Sequence, residues 1–479
     1  MIELLTTIVI AGDRTIIWYF LAVNSFYALL LFLSVPEIWK HWKIQRNEDL
    51  RSYVGSDALP PISILIPAYN MDASIADSVA AQLALEYPQH EVIVVNDGST
   101  DATMDRLRTT FDLYEVPPAF PRRIKTRPVR GFYRSRTRPA LLVIDKERGG
   151  KADALNVALS SARYPIVVPV DADTLVARDA LLRLVRPFLL GEHVAAAGGT
   201  IRVANGCRIV NGRVTDARVP PRFLPAVQVP EYLRAFLFGR LGWNRLGGNL
   251  IVSGAFGLFQ RHYLLAIDGY RAGNVVEDLD LVVRLHQNLR DRKIRYDIPF
   301  IPDPVAWTEV PSDLRTHGRQ RERWHRGLIM TMLAHRRLLL NPKYGRIGLI
   351  TMPFFFFGEM LAPVVELLGY LLTILGLALG LLSPQFALLF LLVALGYQMF
   401  LSVWAVILEE TTFHMYSRFG DFLRMLWYAV AEPFGYRQIT VYWRLKGFWN
   451  ALRGLRHWGE MRRTGFTGTS PGSAPRGSA

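Results

Sequence analysis

Thiols are nearly absent: Cys207 is the one cysteine in 479 residues. A lone cysteine closes no intramolecular disulfide and builds no thiolate metal cluster, so nothing points to an oxidising compartment for the folded part of the chain. Charge is sparse as well, at 20% of residues against 51% hydrophobic. Together with a mean hydropathy of +0.17, this exceeds what a soluble enzyme of such length needs and directs attention to membrane segments. A secretory leader is not expected, because Glu3 and Asp13 precede the first apolar run and no small-residue cleavage site follows it. The full phosphate-loop pattern is missing too: Gly149-Gly150-Lys151 has neither the leading glycine nor the following Ser or Thr.

What charge there is has one sign in excess, a net +15. Nucleic acid, anionic lipid and a phosphorylated small molecule would each account for it. Arginine is dense in residues 122–138, in 315–346 and after Arg444, beside apolar stretches rather than along an RNA-binding motif. That favours membrane lipids and a diphosphate, with no nucleic-acid partner. The Arg-rich stretch 122–138 reads as a solvated turn.

Residues 15–39 are almost uncharged and long enough for a spanning helix, which needs ~20 apolar residues. His41, Lys43 and Arg46 follow it, placing that flank and the attached domain on the cytoplasmic side of an inner or plasma membrane. Residues 325–346 begin with apolar and basic side chains at helical spacing, the pattern of an interfacial helix. Residues 347–382 and 386–408 are two further apolar runs separated by Ser383-Pro384. Residues 421–443 carry Arg424, Glu432, Pro433 and Arg437, which lipid tolerates only where protein or water surrounds them, so this stretch reads as one partly embedded helix. The expectation is a multi-pass protein of three spans, with embedded helices ending near 445 and a basic, then disordered, cytoplasmic tail over 446–479.

From about residue 55 to 324 the pattern is α/β. ISILIPA, EVIVVND, ALLVIDK and PIVVPVDAD are short apolar runs, and a helical stretch separates the first two, which makes a parallel pair with a right-handed crossover. Ligands of such sheets collect at the carboxyl ends of the strands, where Tyr69-Asn70, Asn96-Asp97 and Asp171-Ala172-Asp173 fall. A carboxylate pair such as Asp171 and Asp173 can hold Mg2+ or Mn2+, although D-x-D also recurs in surface turns. Asp97 could grip a base or ribose, or be an ordinary turn aspartate, with Gly98 permitting the turn. Lys151 could cradle a phosphate or simply start a helix. Glu277 and Asp278 open an apolar-periodic helix, where acidic residues also serve the helix dipole. Gln320-Arg321-Glu322-Arg323-Trp324 offers forks for phosphate oxygens and a flat face for a sugar ring, or an interfacial Trp flanked by lipid-facing Arg.

In order along the chain, PAYN, VNDGSTD, KADALN, VDAD, SGAFGLF, VED and QRERW resemble the processive membrane glycosyltransferases of family two, which include cellulose, hyaluronan, chitin and poly-N-acetylglucosamine synthases. The poly-N-acetylglucosamine type is the most similar. The resemblance implies a GT-A-type nucleotide-sugar transferase domain with a mixed, mostly parallel sheet, plus an α-helical transmembrane region. It implies that Tyr69, Asn70, Asp97, Lys151 and Asp171 serve the UDP-sugar donor, and that Asp171 and Asp173 serve the metal. Asp278 becomes the general base beside Glu277, although Val276 stands where the family often has Thr. Gln320, Arg323 and Trp324, with Ser253 and Gly254, fall at the acceptor and pyrophosphate end. The implied reaction is inverting elongation of a β-linked polysaccharide with its export, from UDP-N-acetylglucosamine as first candidate; glucose and glucuronate stay open. The rivals are single transfer to a lipid or other membrane acceptor, and a non-catalytic receptor or scaffold. Three spans form a narrow channel, which leaves a homo-oligomer or accessory membrane subunit open.

Overall fold

The computed structural model describes residues 2–47, 58–118, 123–210 and 212–455. The tail from 456, Arg122 and the start of the α/β region before residue 58 lie outside the described residues.

The α/β region contains strands β1 (Ile62–Ala68), β2 (His90–Asp97), β3 (Leu113–Val116), β4 (Val129–Ser135), β5 (Leu141–Lys146), β6 (Ile166–Pro169), β7 (Leu175–Val176), β8 (Ala196–Val203), β9 (Arg208–Val210), β10 (Arg213–Asp216), β11 (Gly257–Gln260) and β12 (Phe300–Thr308). Ten form one sheet in the order β3-β4-β5-β2-β1-β6-β11-β8-β12-β7, and β9 and β10 pair as a separate hairpin. The central run β5-β2-β1-β6 is parallel. Antiparallel strands lie to either side, and β12 returns parallel to β8.

Alternation within the central strands explains why they read as unbroken apolar runs. Ile64, Ile66, Val92 and Val94 face one core, beneath helices Ile75–Leu83, Thr103–Phe111 and Ala180–Leu190. Leu65, Ile93, Val95 and Ile144 face the other, beneath Lys151–Ser161 and Glu277–Asp291. A parallel sheet covered on both faces leaves no polar side to alternate with. Because the central strands run the same way, their carboxyl ends open on one edge, and β1, β2 and β6 deliver Tyr69, Asp97 and Asp171 there.

The membrane elements differ in length from the sequence expectation. The first helix spans Ile2–Asn47, of which Val9–Ile44 is apolar enough to cross a membrane. Its 46 residues extend roughly 70 Å, about twice a bilayer's hydrocarbon core. Its far end docks on the α/β region, His41 to Asp303 at 3.2 Å and Glu37 to Arg245 at 2.9 Å. Pro384–Thr412 is a second candidate span, and Ile347–Met360 with Ala362–Ala378, bent by 43°, counts as a third if taken as one. The described residues thus include two helices long and apolar enough to cross a membrane, or up to three.

Three sequence readings are corrected. The stretch 122–138, read as a solvated turn, contains strand β4 (Val129–Ser135), paired with β3 and β5 in the main sheet. The helix expected from residue 325 begins at Leu314, where Asp313 caps it by accepting from Thr316 N at 2.8 Å, and runs to Ala334. Gln320, Arg323 and Trp324 therefore sit within the helix rather than ahead of it. The single helix expected over 421–443 is two, Phe419–Ala431 and Tyr436–Leu452, broken at Glu432-Pro433-Phe434-Gly435, with Gly435 at φ +80°. The second lies against Leu314–Ala334 so closely that a Cβ on Gly447 would stand 2.6 Å from the Glu322 carbonyl oxygen.

One ion pair ties the sheet to the second candidate span. Arg202 on β8 meets Glu409 on Pro384–Thr412 at 2.7 Å, both almost fully buried. Removing one member leaves the other charged and unpaired, so Arg202→Met should cost about 3–5 kcal/mol, measured as denaturant unfolding in detergent. The double variant R202M/E409M should recover much of that loss. An unfolding midpoint for Arg202→Met equal to wild type would show that the pair does not hold the two regions together.

Candidate active site

Asp97 ends β2 and works on the chain that follows β5. Its Oδ1 accepts from Lys146 Nζ at 2.6 Å and Gly149 N at 2.9 Å, and its Oδ2 accepts from Gly150 N at 2.7 Å. Lys146 is wholly buried and also meets Asp153 at 2.7 Å. Gly98 turns the chain at φ +67°, where a Cβ would lie 2.7 Å from Arg148 N. Asp97 is thus committed to protein donors that shape the 147–151 turn. That turn aims Lys151, the first residue of its helix, at the strand ends. Tyr69 carries the Arg148 guanidinium 3.7 Å above its ring and hydrogen-bonds it through the phenol oxygen. Asn70, at φ +51°, accepts from Thr100 N at 2.9 Å.

Lys151 is the junction of the site. Its Nζ lies 2.7 Å from Asp171 Oδ1 and 2.8 Å from Glu277 Oε1. Burial alone would lower its pKa, but the two carboxylates outweigh burial and hold it above the usual lysine value. Asp278 is next in chain to Glu277, and its own carboxylate accepts from Gly254 N at 3.0 Å and Leu279 N at 2.9 Å. Burial, then the neighbouring Glu277, push Asp278 above the usual carboxylate range, with Lys151 and the two amide donors opposing. Val276 offers the helix no side-chain cap, and Asn274 orders the turn instead, accepting from Val276 N at 3.1 Å and donating to Thr331 at 2.9 Å.

A cavity of about 620 Å³ starts at this cluster and runs between the apolar helices. Lys151, Asp171, Glu277, Asp278, Ser253 and Gly254 line one part of it, and Gln320, Arg323 and Trp324 line the next. Arg323 Nη1 donates to Val275 O at 3.3 Å, tying that helix to the start of Glu277–Asp291. Trp324 meets Phe236 edge to face at 6.0 Å. Tyr69, Asn70, Asp97 and Asp173 lie at the neighbouring strand ends and are not on the cavity wall.

Sequence reasoning missed the deeper wall. Arg321 grips Glu231 at 2.6 and 2.7 Å, Arg234 grips Glu432 at 2.7 and 2.8 Å, and Arg437 grips Glu366 at 2.6 and 2.8 Å. The available signal was charge inside apolar stretches, at Glu366, Glu432 and Arg437. What it could not give was the partner, which stands as many as 198 residues away.

Fold and site define a GT-A nucleotide-sugar transferase attached to membrane helices. The profile described as Glycosyl transferase family 2 matches residues 63–262, and Glycosyl transferase family group 2 matches 166–401; the chain belongs to family-two glycosyltransferases. It is similar to poly-beta-1,6-N-acetyl-D-glucosamine synthase of Staphylococcus aureus (strain COL), 26% identical over 275 residues, 57% of this chain and 56% of that protein. The same-named protein of Staphylococcus epidermidis is 27% identical over 267 residues, 56% of this chain and 54% of that protein. The match spans about half the length of these curated relatives. Among solved structures, the mannosyltransferase PcManGT from Pyrobaculum calidifontis, in complex with GDP-Man and Mn2+, superposes with a TM-score of 0.53 at 18% identity, covering 91% of this chain and 99% of that one. At that identity the likeness is one of fold.

Asp97→Asn removes the charge that faces Lys146 and weakens two amide acceptors. Hydrogen bonds to a charged group contribute about 1.5–3 kcal/mol, so the Gly149 and Gly150 amides should exchange with solvent at least about tenfold faster. Unchanged exchange would mean that the turn is held by other contacts.

Proposed function

We propose that this membrane protein is an inverting glycosyltransferase that elongates a β-linked polysaccharide from a UDP-sugar, N-acetylglucosamine being the first candidate, with the transferase domain cytoplasmic. The observation that carries the reading is Asp278, a half-buried carboxylate on the wall of one cavity that begins at the Lys151–Asp171–Glu277 cluster and continues between the apolar helices. The family assignment and the similarity to poly-beta-1,6-N-acetyl-D-glucosamine synthases support it.

In this reading the donor lies over the strand ends, among Tyr69, Asn70, Lys151 and Asp171, and the acceptor sugar rests against Gln320, Arg323 and Trp324. Asp278 takes the proton from the acceptor hydroxyl as its oxygen bonds to the anomeric carbon. The bond from that carbon to the diphosphate breaks on the opposite face, leaving a β-linkage and free nucleoside diphosphate. A carboxylate whose burial raises its pKa is a better base than one in water. Lys151 stands ready to counter the charge of the leaving group.

Acidic side chains outnumber basic ones along the cavity wall, so an anionic diphosphate needs a further cation. Asp171 and Asp173 fit Mg2+ or Mn2+ in that role. No group of three or more His, Cys, Asp or Glu side chains is gathered among the described residues, so oxygens of the donor would complete the shell. The ion would neutralise the departing diphosphate. The same acidic excess weighs against a lipid phosphate as acceptor and favours an uncharged glycan.

The test is release of nucleoside diphosphate by the purified protein in nanodiscs across a panel of UDP-sugars. One donor should be consumed, EDTA should abolish turnover and Mn2+ or Mg2+ restore it, and Asp278→Asn should lose roughly 10²–10⁴-fold. Consumption of no donor under any metal would sink the reading.

The pH profile gives a second check. A base is lost as pH falls through its pKa, so the raised pKa of Asp278 places the acid limb above the usual carboxylate range. Lys151 lowers that pKa, and Lys151→Met should therefore shift the acid limb to higher pH at saturating donor. A limb that stays in place would show that Asp278 is not the titrating base.

A further inference from the structure

Seven basic side chains line the cavity, and one is unlike the rest. Lys151 bridges two carboxylates, Arg234, Arg321, Arg437 and Arg444 each meet a glutamate, and Arg323 donates to a backbone carbonyl. Arg240 makes no hydrogen bond and no ion pair among the described residues. Its guanidinium lies 5.0 Å from the ring of Phe236 and 5.5 Å from that of Phe300. The position follows from sequence: Arg240 is four residues after Phe236 on a continuous helical stretch, so both side chains share one face. Phe236 is also the ring that packs against Trp324. Arg240 therefore shares the stretch of cavity wall that Phe236 and Trp324 form. Burial lowers its pKa to about 10, with Asp278 opposing that fall, so it is still a cation at neutral pH. Arg240 is half-buried on the cavity wall, so its five donors face the space where a ligand's acceptors can arrive.

We propose that Arg240 is an acceptor-binding residue: its guanidinium donates to ring-substituent oxygens of the terminal acceptor sugar and holds the attacking hydroxyl against Asp278. An uncharged, oxygen-rich sugar suits it, because the aromatic flanks supply stacking faces and the acidic wall around it disfavours an anion. The inference rests on the proposed transferase reading and adds to it the residue that orients the nucleophile. Every other arginine on the wall has a hydrogen-bond or ion-pair partner within the protein, whereas the donors of Arg240 meet only aromatic rings among the described residues. A planar fork matters here, since an ammonium on the same stem would reach one oxygen rather than two.

The experiment uses the full chain in nanodiscs with UDP-N-acetylglucosamine, Mn2+ and a β-1,6-linked N-acetylglucosamine pentasaccharide as acceptor, comparing wild type, Arg240→Lys and Arg240→Met. For Arg240→Met the acceptor KM should rise at least about tenfold, the loss of a charged hydrogen bond, with Arg240→Lys between the two. The Kd for UDP should move less than twofold, and the thermal midpoint should match wild type. An acceptor KM that does not move, or a UDP affinity that falls in parallel with it, overturns the proposal and leaves the transferase reading standing. Should wild type turn over no donor, the transferase reading fails, and calorimetry with the pentasaccharide alone decides the role of Arg240. Weaker binding to Arg240→Met then supports it, and equal or absent binding to wild type and variant overturns it.

Discussion

The bridge made by the Lys151 ammonium is the constraint on which the site depends. Asp171 arrives from the end of β6 and Glu277 from the start of a helix more than a hundred residues later, yet both reach Nζ within 2.8 Å. Without a cation between them, Asp171, Glu277 and Asp278 would crowd three carboxylates into a poorly hydrated corner, where like charges repel several times more strongly than in water. The lysine is in turn aimed by the Asp97–Lys146 pair, whose hydrogen bonds fix the preceding glycines. Two lysines thus act in series, the buried Lys146 shaping the backbone and the half-buried Lys151 assembling the acids.

The same logic extends among the apolar helices. Glu432 and Glu366 lie on apolar elements where an isolated carboxylate would be expelled, and each is gripped by two nitrogens of an arginine. Bidentate geometry satisfies both oxygens of the acid and makes burial tolerable. These pairs also join elements far apart in sequence: Arg234 follows the transferase helix Phe223–Tyr232, whereas Glu432 ends Phe419–Ala431. Charge that would be a liability in lipid becomes the wall of a cavity. Since the pairs are internally neutral, the wall is polar without strongly attracting ions, which suits passage of hydroxyl groups.

How much of this was legible depends on the range over which each feature is encoded. ISILIPA and EVIVVND are recognisable because a strand buried on both faces needs every side chain apolar, a local property. β8, with the sequence AAGGTIRV, escaped notice because its early residues are small, chosen for close packing against Phe300 and Val305 rather than for hydrophobic bulk. The start of the helix at Leu314 was written in the Asp313 cap, which the arginine-rich first turns obscured. The break at Pro433-Phe434-Gly435 was likewise present as a proline followed by a left-handed glycine. The site residues were found as ordered motifs, and the geometry gathers many of them on one wall, but it gives Asp97 a different neighbourhood from the one expected, among protein donors. Arg240 carried no local signal: its significance lies in having no hydrogen-bond or ion-pair partner among the described residues, which only the folded arrangement of all the others reveals.

That contrast bears on how substrate recognition divides across the cavity. At the strand ends Lys151 holds Asp171 and Glu277 in the absence of ligand, so in the proposed reading a charged diphosphate bound there would mean an exchange of partners at Lys151. On the Trp324 side there is no exchange to make, because Arg240, Phe236 and Trp324 stand without competing acids in hydrogen-bonding contact. A neutral sugar can settle there with donor present or absent. The two halves meet at Asp278, whose carboxylate is held by backbone amides rather than by Lys151 and so keeps its position through the exchange. In the proposed reading, a base fixed by backbone amides would stay in place while the partners of Lys151 change beside it.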